Sequence, residues 1–497
     1  MNIPLLLQTI VHLKPRQVVY QVWYRCHRPA WQHVEAPACQ PLTGLAAPIV
    51  KYRCCEGESM TFLNIADRFS SWDQTDHGML WAYNLNYMDW LGQEGMRAGE
   101  GVSWIDRFIA ELPDHKVGLD PYPIALRSIN WMKFLSLHPE CATKPRKDAL
   151  YSQVRLLERK LEYHLLGNHL LEDAYALYIA ALFFRDRRLY RRSAKLLEQQ
   201  LEEQILPDGA HYEQSPMYHC ILLDRLLDCL NFSLCQRAFD GQDAFDAVLK
   251  DKARKMIGHL KAITLLDGTI PLLNDAAYGI APTPQQLFDY AVRLGVDSQP
   301  LPLRECGYRK MATATLEAVV DVGNITATYQ PGHTHADTLH YILYRDGKPF
   351  AVDTGVSTYD KTPRRQCERS TAAHNTVGVG DCDAIRVWGG FRVGRRCRVT
   401  LVKDTPTEVI AFHDGYGKPC RRRFTMADGA LTVEDTFDGE AVSYLHLAAD
   451  AYVDSIKIEG AYKIETEIMN YAVAYNRLMD GKVLKMHFRG TMKYTIQ

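Results

Sequence analysis

This chain has little net charge, no long apolar run and no cysteine framework. Its formal net charge of -1 gives no global attraction to nucleic acid or acidic membranes, so an anionic partner must be bound by a local basic patch. No apolar run reaches the roughly 20 residues that a membrane span needs. The thirteen cysteines are odd in number and include no CxxC pair, which excludes a disulfide scaffold and is typical of reduced thiols. We therefore expect no nucleic-acid partner and no transmembrane segment.

The first residues also lack the signature of a secretory signal peptide. Residues 1–11 are briefly apolar, but no basic segment precedes them and no clear small-residue cleavage site follows. Basic residues come afterwards, at Lys14, Arg16 and Arg25, which predicts an amphipathic first helix. This pattern predicts a cytoplasmic protein, with a periplasmic or envelope-associated location as the alternative.

The chain changes character near residue 300. Its length of 497 residues predicts more than one domain. Before the change, apolar residues recur every three or four positions, as in residues 222–230, which indicates helices. After a Pro-containing linker at residues 295–306, β-branched and aromatic residues alternate with polar ones, which indicates short strands. The sequence predicts an α+β multidomain protein, with a helical toroid or solenoid over residues 1–300 and an antiparallel β-sandwich over residues 301–497.

The most informative stretch lies between residues 331 and 376. Two strand-like runs flank the turn Asp346-Gly347, which is a strong hairpin signal. Such a hairpin can bring His335 close to Asp353, and a third strand after His374 could complete a His/Asp/His site. Two imidazoles and one carboxylate suit zinc or a similar divalent cation. His333 shares a face with His335 if this segment is a strand, because side chains two residues apart point the same way.

Two further polar groups lie at or near the starts of predicted helices. Asn168 is a good helix N-cap and Glu172 favours a first turn, an interpretation that leaves the neighbouring His169 unexplained. A polar loop before the next apolar helix carries Tyr212 and Tyr218. A tyrosine held near Arg or His loses its proton more easily and can serve as a base.

A run of basic residues follows the hairpin. Arginine interleaved with aromatic rings suits carboxylated or sulfated sugars, through bidentate pairing and ring stacking. For any single arginine, a solvated strand face is the simpler interpretation. The run contains Arg364, Arg365, Arg369, Arg386, Arg392, Arg395 and Arg396, with Trp388 and Phe391 among them.

At these residues the chain resembles the heparinase II/III-like family of polysaccharide lyases, over residues 80–450 approximately. The resemblance implies an incomplete (α/α) toroid followed by an antiparallel β-sandwich, with the site between them. It also implies β-elimination at a uronic acid of an acidic polysaccharide. Relatives that begin with a similar helix are associated with surface-polysaccharide production. The motifs that carry it are Asn168-His169-Leu170-Leu171-Glu172, Pro207-Asp208-Gly209, Ser215-Pro216-Met217-Tyr218-His219, Gly332-His333-Thr334-His335-Ala336-Asp337, Arg369-Ser370-Thr371-Ala372-Ala373-His374-Asn375-Thr376 and Trp388-Gly389-Gly390-Phe391-Arg392-Val393-Gly394.

The resemblance also implies a role for each catalytic residue. Tyr218 is expected to be the base and acid, with Tyr212 as an alternative, and His333 the second proton-transfer group. Asn168 or His169 is expected to neutralise the uronate carboxylate, and the sequence does not decide between them.

Metal and substrate contacts complete the expected site. The resemblance implies that a divalent metal, usually a structural zinc, is held by His335, Asp353 and His374. We predict substrate contacts from five further side chains: Glu172, Tyr212, Arg369, Trp388 and Arg392.

Two other functions remain open at this point. A glycoside hydrolase would need two opposed carboxylic acids, and the candidates Glu172, Glu213 and Asp275 single out no pair. A non-catalytic sugar-binding protein of a surface-polysaccharide system would use the cleft only to hold the chain. Ultraviolet absorbance of a new C4–C5 double bond separates a lyase from both.

Overall fold

The computed structural model describes residues 3–112 and 114–497, with helices in the first part and mainly strands in the second. The helices begin where caps and prolines favour them: Ser215 accepts a hydrogen bond from the backbone N–H of Tyr218, and Pro216 occupies the first helical position. The helices are α1 (Ile3–Ile10), α2 (Pro15–Cys26), α3 (Met79–Tyr87), α4 (Ala98–Ala110), α5 (Pro121–Leu137), α6 (Lys144–Arg159), α7 (Gly167–Phe184), α8 (Arg187–Gln204), α9 (Pro216–Cys235), α10 (Gln242–Ile263), α11 (Pro284–Arg293) and α12 (Pro363–Glu368).

In the part of the chain that the structure describes, the strands form one large antiparallel sheet and two small ones. They are β1 (Cys55–Glu56), β2 (Ser59–Phe62), β3 (Ile65–Arg68), β4 (Tyr308–Ala312), β5 (Leu316–Asp321), β6 (Tyr341–Arg345), β7 (Lys348–Ala351), β8 (Val377–Gly378), β9 (Val387–Trp388), β10 (Arg392–Val393), β11 (Val399–Thr405), β12 (Glu408–His413), β13 (Cys420–Ala427), β14 (Ala430–Ala448), β15 (Ile456–Ala474) and β16 (Arg477–Ile496). The large sheet runs β11-β12-β13-β14-β7-β6-β5-β4, and β8, β15 and β16 join it through β14 and β16.

The helical part is held together by helices that are buried on nearly every side. Almost every residue of α7 is buried, as are most residues of α5 and α9. A helix that is apolar all round must lie inside other helices, because no face of it tolerates water. The start of α7 is therefore fixed at the centre of the helical part, and Asn168 is fixed with it.

The predicted hairpin at Asp346-Gly347 is confirmed. Strands β6 and β7 pair antiparallel, with Arg345 opposite Lys348. Both turn residues have positive φ, 52° and 72°, which is the conformation that a two-residue Asp-Gly turn adopts. The hairpin connects the histidine segment, residues 333–340, to Asp353, which comes directly after β7.

The sheet also buries a charged pair. The guanidinium of Arg422 on β13 contacts both carboxylate oxygens of Asp435 on β14, at 2.6 and 2.8 Å. It also donates to the backbone oxygens of Leu339 and Asn375. A buried arginine needs such partners for its N–H groups. This contact anchors the segment that leads into β6 and the loop after His374.

The prediction of helices followed by antiparallel strands is confirmed. The closing of the helices into a toroid, the second layer of a sandwich and the boundary at residue 300 stay predictions. Among the described residues, no helix combines the length and the apolar character that crossing a bilayer requires.

Candidate active site

The start of α7 places Asn168 against an acidic side chain from the loop between α8 and α9. Its backbone N–H and its side-chain amide donate to the two carboxylate oxygens of Glu213, at 2.9 and 2.8 Å. Gly167 has a φ of 61°, and a Cβ there would lie 2.5 Å from Glu213. Glycine is therefore required at this position, because it lets the carboxylate approach the helix end. Glu213 fixes the direction of the Asn168 amide.

His333 meets Asn168 from the other part of the chain. Its Nε2 lies 3.4 Å from the amide nitrogen of Asn168, and its Nδ1 lies 2.9 Å from Asp275 Oδ2. The carboxylate of Asp275 is bound by both arms of the Arg365 guanidinium, at 2.5 and 2.7 Å. Burial acts to raise the pKa of Asp275, but Arg365 and the histidines outweigh it and hold that pKa well below its usual range. An ionised Asp275 accepts the Nδ1 proton, which leaves His333 Nε2 free to accept a proton.

Tyr218 joins Asn168 and His333, and we call these three residues the catalytic cluster for the role proposed below. Its ring stacks on the His333 ring at a centroid distance of 3.9 Å, and its hydroxyl accepts a hydrogen bond from Tyr359 at 3.3 Å. Burial raises the pKa of Tyr218, although the Arg365 charge opposes the shift. The phenol is therefore protonated in the free protein and is available as a proton donor. Asn168, Tyr218 and His333 are thus brought together.

His169 points away from this cluster. Its Nδ1 lies 3.0 Å from Glu162, and its ring packs on Tyr122 at a centroid distance of 4.7 Å. Burial acts to lower the pKa of His169, but the Glu162 carboxylate outweighs it and raises that pKa. Of the two neighbours that the sequence left open, only Asn168 faces His333.

Two of the expected substrate contacts lie inside the protein. Glu172 is fully buried on α7, and neither of its carboxylate oxygens has a hydrogen-bond partner. The Arg225 guanidinium lies 3.9 Å away. The Tyr212 hydroxyl bonds to Tyr329 at 2.8 Å, in a small apolar cluster. Both side chains are buried, whereas Tyr218 is half-buried and stacks on His333, which favours Tyr218 over Tyr212 in the role that the sequence left open between them.

A cavity of about 570 Å³ lies beside Arg225, the arginine that approaches Glu172. Arg225, Lys133 and Lys51 contribute to its wall. Each of these cations has a carboxylate partner: Lys133 binds Asp228 at 2.8 Å, Arg225 binds Asp224 at 2.8 Å, and Lys51 binds Asp89. The volume is within the range of small-molecule pockets.

The other three expected contacts differ in exposure. Arg369 is fully buried and donates to the backbone oxygen of Thr334, so it holds the histidine segment in place. Trp388 and Arg392 lie on the β9–β10 hairpin, where the exposed guanidinium covers the indole at 4.7 Å. Phe391 of this hairpin approaches the His333 ring at 6.3 Å. Trp388 and Arg392 therefore lie at the rim of the cluster.

The expected metal ligands Asp353 and His374 are in contact. His374 Nδ1 lies 2.8 Å from Asp353 Oδ2, and His340 Nε2 lies 2.9 Å from the same oxygen. The donor atoms of these three residues lie within 4.8 Å of one another. His340 thus occupies the position that the sequence predicted for His335, because His335 Nε2 is drawn to Asp275 at 2.8 Å.

The tautomers of the two histidines differ in their fitness to bind a cation. His340 Nδ1 accepts the backbone N–H of Asn375 at 2.8 Å, so its proton is on Nε2, which faces Asp353. His335 donates Nε2–H to Asp275, and its buried Nδ1 has no hydrogen-bond partner. A metal-bound histidine donates one N–H to a carboxylate and offers the other nitrogen to the metal. The buried His374 Nε2 is also without a partner. His340 Nε2 is likewise without a hydrogen-bond partner, and the His335 ring lies 5.3 Å from the His374 ring, centroid to centroid. Unpaired buried nitrogens of this kind, close to the Asp353 carboxylate in His340 and His374, fit a divalent cation.

A second group of possible ligands has a simpler explanation. Asp208, His259 and Cys306 are buried, and their donor atoms lie close together. The Asp208 carboxylate already accepts three backbone N–H groups, from Ala210, Arg304 and Cys306. It therefore joins the loop before α9 to the segment that leads into β4.

Four residues of the site gave weak sequence signals. Asn274-Asp275 has the composition of a turn, and Arg365 is one of seven arginines in a run. Glu213 was considered only as a hydrolase acid, and nothing marked Tyr359. In the sequence, Asp275 stands between Asn and Ala with no sign of its partners, because Arg365 lies 90 residues away.

An amide, a phenol and an imidazole thus meet between the helical part and the antiparallel sheet. The model of the Heparinase II/III N-terminus matches residues 149–292, and that of the Heparinase II/III-like C-terminal domain matches residues 297–474. The chain belongs to the heparinase II/III-like family, and it is a polysaccharide lyase.

Solved structures agree with this fold. A heparinase III structure is 14% identical, with a TM-score of 0.63, over 89% of this chain and 80% of that chain. A mutant of the heparan sulfate lyase HepC from Pedobacter heparinus is 15% identical, with a TM-score of 0.56, over 97% and 87%. No curated protein matches the sequence.

The buried Glu172 makes a testable prediction about pH. Burial raises its pKa to about 8, reinforced by Asp224 and Asp228 and opposed by Arg225 and His169. The pKa of Glu172 is higher in the folded protein than in the unfolded chain. The stability that the neutral carboxyl contributes is therefore fully present below the unfolded pKa and is lost as pH rises to about 8. The variant Glu172→Gln cannot ionise at this position. The difference between its melting temperature and that of the wild type should therefore shift by several degrees in favour of the variant from acid to alkaline pH.

Thermal melts across that range check this expectation. Glu198→Gln, at an exposed position of α8, is the matched control and should follow the wild type at every pH. A constant difference between Glu172→Gln and wild type would contradict the neutral carboxyl.

Proposed function

We propose that this protein cleaves a uronic-acid-containing polysaccharide, of the glycosaminoglycan type, by β-elimination. The observation that carries the proposal is the meeting of Asn168, Tyr218 and His333, with His333 Nδ1 held by Asp275. The bond that breaks joins C4 of the uronate to the glycosidic oxygen, after loss of the proton on C5. The products are a chain end with a C4–C5 double bond and a chain end with a new hydroxyl.

Each residue has a role that follows from its contacts. His333 Nε2 takes the C5 proton, and the ionised Asp275 stabilises the imidazolium that forms. The Asn168 amide stabilises the negative charge that builds on the uronate carboxylate, which lowers the cost of the enolate-like intermediate. Tyr218 donates its proton to the departing oxygen, since its raised pKa keeps it protonated. Proton return from the imidazolium to the phenolate, directly or through solvent, restores the site.

The geometry does not favour a hydrolase. A hydrolase needs one carboxylic acid free to protonate the glycosidic oxygen and a second carboxylate opposite. Glu213 accepts two hydrogen bonds from Asn168, and Asp275 is bound by Arg365 and two histidines. Both carboxylates are committed to positioning other groups.

At the rim, Trp388 and Arg392 are the proposed contacts to the polymer. An exposed guanidinium beside an indole pairs with a carboxylate or sulfate while the ring stacks on a sugar. Closure of the helices into an incomplete toroid would form the cleft that leads to this rim. The compartment expected from the sequence and a role in surface-polysaccharide production stay predictions.

For the cation, we propose zinc bound by His335, Asp353 and His374. Zinc would brace the strands beneath His333 and add folding free energy. His335 then links the two centres, because Asp275 accepts from both histidines. This arrangement keeps the catalytic ring and the metal ligand on one carboxylate.

Tyr218→Phe should fold normally and lose at least ~10²-fold in turnover, because it removes the proton donor and retains the ring. Initial rates on uronic-acid polymers, followed by absorbance of the new double bond, test this. Tyr212→Phe is the matched control, since its hydroxyl bonds only within the Tyr329 cluster. Near-wild-type turnover in Tyr218→Phe would refute the assignment.

Asn168→Ala should lower kcat by ~10²–10³-fold, because it removes a donor aimed at developing charge. His169→Ala should lower kcat much less, since His169 faces Glu162 and Tyr122. Both variants need a thermal melt, so that misfolding is separated from chemistry. A larger loss of kcat in His169→Ala would give His169 the carboxylate role.

The metal assignment predicts different effects for two neighbouring histidines. His335→Gln, like Asp353→Ala and His374→Ala, should lose bound zinc and melt earlier, whereas His340→Gln should retain the metal. Elemental analysis of protein purified without chelator measures this independently of activity. Loss of zinc in His340→Gln with retention in His335→Gln would show that His340 is the ligand, and metal-free wild type would refute the site.

A further inference from the structure

The first two helices present an apolar surface to solvent. On α1 the exposed apolar side chains are Ile3, Leu7 and Ile10, at a spacing that places them on one face. On α2 they are Val18, Val19, Val22 and Trp23, which again share one face. We call these seven side chains the N-terminal apolar surface. Val19 is 60% exposed, Val22 is 56% and Trp23 is 49%, so the structure leaves this surface uncovered.

The opposite faces of both helices are anchored. Gln17 donates to the backbone oxygen of Leu165 at 3.1 Å, and the Tyr20 ring packs on Tyr163 at 4.7 Å. Thr9 donates to the backbone oxygen of Val393 at 3.2 Å. These contacts fix which sides of the helices face outward. The exposed valines therefore do not belong to a core that the protein forms by itself.

The charged residues of the N-terminal segment itself are all cations, and one of them, Lys14, pairs with Glu203 of α8. Residues 1–34 contain Lys14, Arg16, Arg25 and Arg28 and no Asp or Glu, whereas the whole chain carries a net charge of -1. Arg25 and Arg28 are exposed, and Arg25 lies at the edge of the apolar face of α2. An apolar face with valine and tryptophan, bordered by the exposed cations Arg25 and Arg28, is complementary to an anionic lipid surface.

We propose that the N-terminal apolar surface docks on anionic phospholipid bilayers, with the helices lying in the plane of the interface. The apolar side chains enter the boundary between headgroups and acyl chains, and Arg25 and Arg28 pair with lipid phosphates. A protein partner would have to present acidic and apolar groups complementary to this surface, and the described residues give no indication of such a partner. A second copy of this chain would bring the same cations face to face, which like-charge repulsion disfavours.

Docking would also orient the active site. Helix α2 is bound to residues 161–165, which lead into α7 and Asn168. Helix α1 is bound to the β9–β10 hairpin, where Trp388 donates to Thr9 at 3.1 Å. The rim of the catalytic cluster would therefore be held at a fixed position relative to the bilayer. This inference does not depend on the lyase chemistry.

Co-sedimentation of the full chain with vesicles tests the proposal. Binding is expected with phosphatidylcholine vesicles that contain phosphatidylglycerol, and at least ~10-fold weaker binding with phosphatidylcholine alone. The double variant Val19→Glu/Val22→Glu should lose at least ~10-fold in vesicle affinity, because it places two charges in the apolar face. Arg25→Glu/Arg28→Glu should lose the preference for the anionic lipid.

The matched control is Val292→Glu, because Val292 is 65% exposed on helix α11 and lies outside the N-terminal apolar surface. It should bind vesicles as the wild type does. Solution activity of all three variants on polysaccharide, measured without lipid, should remain close to wild type, which separates this test from that of the proposed function.

Three results would overturn the proposal. The first is no binding to either vesicle, and the second is binding that Val19→Glu/Val22→Glu leaves unchanged. The third is an oligomer that this variant dissociates, measured by light scattering, without lipid binding by the wild type. That result would assign the surface to contact between copies of this chain.

Discussion

The buried ion pair between Asp275 and Arg365 is the contact on which the site depends. Asp275 belongs to the loop between α10 and α11, and Arg365 belongs to α12, which lies among the strands. Two charges out of water are stable only when their geometry and hydrogen bonds are nearly complete, and loss of one partner costs about 3–5 kcal/mol. Here the two remaining acceptor directions of Asp275 are filled by His333 and His335. One carboxylate therefore joins the helical part to the sheet and orients both histidines.

This contact also explains how the proposed catalytic role of His333 and the proposed metal-binding role of His335 can lie two residues apart. His333 binds Asp275 through Nδ1 and presents Nε2 to Asn168, whereas His335 binds it through Nε2 and retains a free Nδ1. The two rings use opposite nitrogens on the same carboxylate. In the function that we propose, the first ring exchanges protons and the second holds a cation. Arg369 keeps the backbone between them in place through Thr334.

Sequence reasoning predicted the parts of the site that carry a local signal. Asn168, Tyr218 and His333 lie in recognisable motifs, and the structure brings them together from three segments. The hairpin at Asp346-Gly347 was predictable because a two-residue turn has strict backbone requirements. Helices before strands followed from the change in apolar period. These features depend on residues that are near one another in the chain.

Features that depend on residues far apart in the chain could not be predicted from the sequence. In the sequence Arg369 looks like a solvated or sugar-binding arginine, yet it is fully buried, and its guanidinium donates twice to the backbone oxygen of Thr334, a partner that the sequence does not reveal. Glu172 fits the first turn of a helix, but α7 lies wholly inside the helical part. His340 stands one residue before β6 and acquires its contact with Asp353 only when the sheet forms. Burial depends on what packs against a segment, and that is a property of the whole fold.

The two ends of the site differ in how firmly they are held. Around Asp275 every charged group is buried and paired, so a small displacement would leave a charge without a partner. At the rim, Arg392 is exposed and its position depends on the β9–β10 hairpin, which is only two residues deep in each strand. Thr9 of α1 contacts this hairpin at both Trp388 and Val393. Whatever binds the outer faces of α1 and α2 therefore acts on the part of the site that is least constrained from within, while the residues around Asp275 remain fixed.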